Sequence, residues 1–156
     1  DTYIGVNGRT PVQLIHGFAN RLNAKKIPGG ILLISSLAGL LGPPLVAPYA
    51  ATKGFQIRLA ESISTEFKAL NIDITACCAG LTSTPTYQTN TPERTRKKVN
   101  PMDPIRVAEY AIRNLGQKVV CIPGWKNRLN YFILLRLLPR FISMRILSKT
   151  MGKMYK

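Results

Sequence analysis

Ser36, Tyr49 and Lys53 bring a hydroxyl, a phenol and an ammonium within eighteen residues of one another, a set able to pass a proton to or from a substrate oxygen. A phenol ionises near pH ~10 in water, so it is a poor base at neutrality unless a fixed positive charge stabilises the phenolate. Lys53 follows Tyr49 by four residues, and on a helix that spacing stacks the two side chains on one face. Ser36 precedes Tyr49 by thirteen residues, at the end of an apolar run.

The neighbouring sequence supplies elements that would position these groups. The apolar run Ile31-Leu32-Leu33-Ile34 predicts a buried strand over residues 30–35 that ends beside Ser36. Gly39, Gly42, Pro43, Pro44 and Pro48 predict a helix-free loop over residues 37–48, and Pro48 suits the first turn of a helix running from Tyr49 to about Leu70. Upstream, Val12, Leu14, Ile15, Phe18, Ala19 and Leu22 form an apolar stripe on a helix over residues 2–25. Pro11 predicts a kink in that helix or its proper start, with Asn7 on the first turn or at the irregularity. Downstream, residues 72–78 and 118–123 read as further buried strands, separated by a helix that Asp103 caps and that reaches Gly116. Two strand-helix-strand steps in succession predict parallel strands with right-handed crossovers. His16, the single histidine, reads as a packed or surface residue of its helix.

The stretch Gly30-Ile31-Leu32-Leu33-Ile34-Ser35-Ser36-Leu37-Ala38-Gly39, followed by Tyr49-xxx-Lys53, resembles the short-chain dehydrogenase/reductase family. Asn7, in Val6-Asn7-Gly8, stands 29 residues before Ser36, where that family carries a fourth catalytic residue. Residues 72–84, with Gly80, Thr82 and Thr84, are similar to the family's strand and Pro-Gly-x-x-x-Thr turn, although Ala79 stands where Pro is usual. The resemblance implies an NAD- or NADP-dependent oxidoreductase acting on a small-molecule carbonyl or alcohol. It assigns Tyr49 as the general acid or base, Lys53 as its electrostatic partner and ribose ligand, and Ser36 as the donor to substrate oxygen. Asn7 would hold a water that relays protons from Lys53, and Gly80, Thr82 and Thr84 would face the nicotinamide. It also implies a homo-oligomer, with the Tyr49 helix contributing to a dimer seam.

The family's Gly-rich turn, Thr-Gly-x-x-x-Gly-x-Gly, which holds the cofactor pyrophosphate on a helix N-terminus, is not found here, nor is its Asn-Asn-Ala-Gly strand. The expected fold is therefore α/β, the second half of a Rossmann-like, doubly wound parallel sheet with a C-terminal helical extension. Residues 1–124 would be the catalytic half and residues 125–156 a basic amphipathic tail. The competing reading is a truncated, non-catalytic fragment that serves as a membrane- or subunit-binding module.

A net charge of +15, from 22 Lys and Arg against 7 Asp and Glu, points to an anionic partner. No zinc-ligand spacing and no interleaving of basic and aromatic residues is present, which argues against nucleic acid. Cys77, Cys78 and Cys121 are odd in number and lie in apolar strand runs, which argues for free thiols in a reducing, cytoplasmic compartment. Residues 80–102 lack apolar period. They read either as a solvated loop or as a lid with Pro85 and Tyr87 turned inward and the cluster Glu93-Arg94-Thr95-Arg96-Lys97-Lys98 outward. In the tail, eight Lys or Arg and no acid follow residue 125, and Pro139 predicts two helices. Such a tail can lie on an anionic membrane or cover the cleft or a dimer partner; the high apolar content weakly suggests a lipophilic substrate.

Overall fold

The computed structural model describes residues 2–96 and 99–155. Its N-terminal helix is continuous but irregular: α1 (Thr2–Ile4) passes through a π-helical turn (Gly5–Arg9) into α2 (Thr10–Lys25). Pro11 accounts for the irregularity. A proline inside a helix offers no N–H to the carbonyl four residues back and its ring crowds that carbonyl. The carbonyl in question is that of Asn7, and widening the turn around it relieves the clash.

β1 (Gly29–Ser36) follows, then a short helix, α3 (Leu37–Leu41), and the long α4 (Ala47–Ala69). The glycines and prolines do not keep residues 37–48 free of helix: α3 fits between Ser36, which caps it, and Gly42, which ends it at φ 63°. Pro48 stands in the first turn of α4, as its fixed φ allows. β2 (Ile72–Ala79) then pairs with β1 in parallel along its whole length, Gly29 opposite Ile72 through Ser36 opposite Ala79.

After β2 come two short helices, α5 (Pro85–Asn90) and α6 (Glu93–Arg96), where the sequence suggested only loop. Tyr87 is buried as expected, whereas Pro85 is exposed. Arg96 is half-buried, donating to Gln88 Oε1 at 2.9 Å rather than facing outward; Lys97 and Lys98 lie outside the described residues. The segment is tied to the body by Thr82 and Met102, which bridge in parallel fashion. Asp103 accepts from the Ile105 N–H at 2.9 Å and opens α7 (Pro104–Asn114). β3 is shorter than the sequence implied, Val120–Cys121, and pairs with β2.

The sheet order β1-β2-β3 is parallel, with helices on both faces. On one face Ile74, Ala76 and Cys78 pack with Ile15 of α2 and with Ile57 and Ala60 of α4. On the other, Cys77 and Cys121 pack under Val107 and Ala111 of α7. Ile57 and Ile72 are each 1 % exposed, and a side chain of that size contributes about 1.5–3 kcal/mol when fully buried. Beyond β3 the chain forms α8 (Trp125–Phe132), a π-helical turn (Ile133–Leu137) and α9 (Arg140–Tyr155), broken at Leu138-Pro139. Leu147 and Ser143 of α9 are buried, while Phe141 and Ile146 face solvent together with the cations, so the two faces are less cleanly divided than the sequence pattern suggested.

Candidate active site

The end of β1, the first turns of α4 and the π-helical turn converge on one place. Tyr49 and Lys53 share a face of α4, with the Lys53 Nζ 5.9 Å from the centre of the Tyr49 ring. Tyr3 of α1 meets the Tyr49 ring edge-on, centroids 6.0 Å apart. Among the described residues nothing bonds the Tyr49 hydroxyl, so its proton is free for other work.

Lys53 is half-buried, and that loss of water pushes its pKa below the ordinary 10.5. Its ammonium donates to the Ile34 carbonyl at 2.7 Å and to Gln56 Oε1 at 3.2 Å. An ammonium has three hydrogens, which leaves one uncommitted. Asn7 reaches the same cluster twice. Its side chain donates to Thr52 Oγ1 at 3.2 Å, and its carbonyl accepts from Gln56 Nε2 at 2.9 Å. Thr52 in turn donates to the Tyr49 carbonyl at 2.9 Å. Asn7 therefore sits at the helix distortion and is bonded into the helix that carries Tyr49 and Lys53.

Ser36 stands one strand position beyond Ser35, whose buried hydroxyl donates to the Lys53 carbonyl at 2.8 Å. The Ser36 oxygen accepts from the Ala38 N–H at 3.2 Å as the cap of α3, so its own hydrogen remains available to donate. Gly80, Thr82 and Thr84 follow Ala79, the register partner of Ser36, and so leave the same end of the sheet. Thr82 donates to the Gly80 carbonyl at 3.0 Å. The Thr84 oxygen accepts from the Tyr87 N–H at 3.2 Å and caps α5, leaving the Thr84 hydroxyl hydrogen free. Gly80 faces the tail: a Cβ there would lie 2.6 Å from Asn127 Nδ2, which donates to the Pro123 carbonyl at 2.9 Å.

Several contributors escaped the sequence reading. Gln56 lies seven residues after Tyr49 and three after Lys53, a spacing that places all three on one helix face. The spacing is legible in the sequence, although glutamine at that position belongs to no motif. Thr52 and Ser35 act through contacts between elements distant in sequence, for which local spacing carries no sign. The cysteines offer no second centre. All three are free and at most 2 % exposed. Burial pushes the Cys78 thiol up to about 12, and a hydrogen bond with Cys121 together with burial raises that of Cys77. No group of His, Cys, Asp or Glu among the described residues could hold a metal ion.

A family model described as short chain dehydrogenase matches residues 1–95. A 7beta-hydroxysteroid dehydrogenase of Clostridium sardiniense is 31% identical over 123 residues, covering 79% of this chain and 47% of its own length. A C alpha-dehydrogenase of Sphingobium sp. is 34% identical over 77 residues, 49% of this chain and 25% of that protein. In structure, a 7beta-hydroxysteroid dehydrogenase superposes with a TM-score of 0.81 over 92% of this chain and 56% of that one, at 22% identity. A short chain dehydrogenase from Burkholderia cenocepacia J2315, solved in complex with NADP, gives 0.73 over the same shares at 14% identity. The chain thus spans about half the length of the curated relatives it matches.

Proposed function

The chain belongs to the short chain dehydrogenase family, and on that premise we propose that the site on β1 and α4 performs the proton half of a carbonyl–alcohol interconversion. Tyr49 donates its phenolic proton to the carbonyl oxygen in reduction and recovers it in oxidation. Lys53 stabilises the phenolate from one turn away, and Ser36 donates its free hydrogen to the oxygen that gains charge. Asn7 anchors the arrangement to the preceding helix. The observation that carries this reading is the uncommitted hydroxyl of Tyr49 beside an ammonium that is held in place by two hydrogen bonds.

NAD or NADP, when bound, supplies or accepts the hydride. The residues present suit its nicotinamide and ribose end: the third hydrogen of Lys53, the Tyr49 hydroxyl and the Thr84 hydroxyl lie at the carboxyl end of parallel strands, where open α/β sheets take ligands. The Gly-rich pyrophosphate turn is not in this sequence, so these residues serve one end of the cofactor only. The names of the relatives favour a hydroxysteroid, or another lipophilic alcohol, as substrate.

The test is turnover by the protein that carries this chain, with NADPH or NADH and a panel of oxo-steroids and simple ketones, followed by loss of reduced-nicotinamide absorbance. Tyr49→Phe is expected to cut kcat about 10²–10⁴-fold while cofactor affinity and fold persist. A Phe variant as active as the native protein overturns the mechanism.

The exposed faces favour assembly as well. Ile4, Val12 and Phe55 line an apolar groove between the N-terminal helix and α4, which suits a second copy of the chain. In the tail, Trp125, Phe132 and Phe141 are exposed among Lys126, Arg128, Arg136, Arg140, Arg145, Lys149 and Lys153, with no acid between them. This mixture fits an anionic membrane surface; no helix among the described residues is long and apolar enough to cross a membrane. Co-sedimentation with phosphatidylserine vesicles, lost when Arg140, Arg145 and Lys149 become Gln, tests that reading.

A further inference from the structure

We propose that Gln56 is a positioning residue of this site, an amide strut that fixes the Lys53 ammonium between Tyr49 and the π-helical turn and thereby sets its charge state. The inference rests on the dehydrogenase reading for its relevance to turnover, but its geometry stands alone. The Gln56 side chain has two polar ends and both are committed: Oε1 accepts from Lys53 Nζ at 3.2 Å, and Nε2 donates to the Asn7 carbonyl at 2.9 Å. Gln56 is 5 % exposed, so neither bond competes freely with water.

The acceptor end of the strut exists because of Pro11. An α-helix would satisfy the Asn7 carbonyl with the N–H of the residue four positions on, which is Pro11 and has none. The Asn7 carbonyl, within the π-helical turn, accepts from Gln56 instead. Holding the amide nitrogen there turns the amide oxygen toward Lys53. An amide accepts at oxygen and donates at nitrogen but does not readily release its proton. Gln56 therefore orients Lys53 without passing protons to Asn7, whose carbonyl keeps a second lone pair.

The charge balance around Lys53 is simple enough for the strut to matter. β1 and α3 carry no titratable side chain. α4 offers Tyr49, α1 offers Tyr3 behind it, and Arg9 of the π-helical turn lines the groove with Thr52 and Phe55. Burial disfavours the ammonium, and the Gln56 oxygen and the Ile34 carbonyl oppose that cost.

The experiment is an NMR titration of the protein with 13C-labelled lysine, the Lys53 Cε signal being identified by its loss in Lys53→Met. Gln56→Glu places a carboxylate against the ammonium and should raise the Lys53 midpoint by about one pH unit or more. Gln56→Met removes the acceptor while keeping the length, and should lower it. In alcohol oxidation the Glu variant adds negative charge beside the phenolate, so the rising limb of the kcat/KM profile should move to higher pH. A Lys53 midpoint unmoved in both variants overturns the strut, even where the enzyme turns over. Midpoints that move as stated in a protein without any dehydrogenase activity leave the strut standing and overturn the proposed function instead.

Discussion

Gly39 of α3 and Gly54 of α4 touch backbone to backbone. A Cβ built on Gly39 would lie 2.6 Å from the Gly54 nitrogen and 2.6 Å from the Lys53 carbonyl carbon, distances no side chain can take up without moving a helix. Ser36 caps α3 and Lys53 belongs to α4, so this contact sets the distance between the Ser36 hydroxyl and the Tyr49–Lys53 pair. Gly39→Ala should force the helices apart, costing about 1–3 kcal/mol of stability and at least tenfold in kcat/KM. Gly54→Ala meets only the Gly39 oxygen, at 3.1 Å, which a small shift can accommodate. Melting temperature and kcat/KM should therefore rank native, Gly54→Ala, Gly39→Ala in descending order; equal losses for the two variants would count against the contact as a spacer.

The proposed reaction gives Ser36 a second duty that substitution can separate from the first. Its oxygen caps α3, which leaves its hydrogen uncommitted. Ser36→Ala removes both, and should lose about 1 kcal/mol of stability along with most of the activity. Ser36→Asp restores a capping oxygen but puts a negative charge where the reaction develops another, so stability should recover while kcat does not. Recovery of both together would assign Ser36 a capping role only.

The Gly39–Gly54 contact and the face of α4 that carries Lys53 differ in how far sequence reveals them. Tyr49, Lys53 and Gln56 belong to one helix, whose 3.6-residue period brings them together before any tertiary contact forms. The parallel sheet is largely local in origin, since β1 centres on the apolar run Ile31–Ile34 and β2 is mostly apolar around Asp73 and Thr75, with a helix between successive strands; β1 is nevertheless only partly covered, Ile34 being exposed. Short elements depend on tertiary contacts that no local pattern encodes. α3 forms despite its own Gly39 and the Gly42-Pro43-Pro44 that follow, because Ser36 caps it and α4 supports it, and β3 stops at two residues although the apolar run around it is longer. The contact of Asn7 with Thr52 joins residues 45 apart, and no period in the sequence announces it.

Lys53 should leave a mark on the pH dependence of stability. Its pKa in the folded protein lies below the ordinary 10.5 because burial strips water from the ammonium. Between the lowered value and 10.5 the unfolded chain holds more protons than the folded one, so the native fold gains stability relative to the unfolded chain as pH rises through that window. Lys53→Met lacks this group. The difference in melting temperature, variant minus native, should be most favourable to the variant at neutral pH and shrink toward pH ~10, while turnover by the variant is lost throughout. Thermal unfolding across that range checks the sign, and a difference that stays constant with pH would contradict the burial argument.

Pro11 makes the last case, because there stability and activity should part. In a continuous helix a proline costs roughly 3 kcal/mol relative to alanine, part of which the wider π-helical turn before it relieves. Pro11→Ala supplies the missing N–H and should straighten the helix, raising stability by about 1 kcal/mol or more. Bonding that N–H would also align the Asn7 carbonyl with the helix axis and turn it away from Gln56, from which it now accepts at 2.9 Å. Gln56 would lose its anchor, and Lys53 its fixed acceptor. The variant should melt higher yet turn over more slowly, with Gln56→Met adding little further loss because the two changes break the same link. Measuring kcat for the two single variants and the double variant tests this coupling. Full additivity of their losses would show that proline and glutamine act independently.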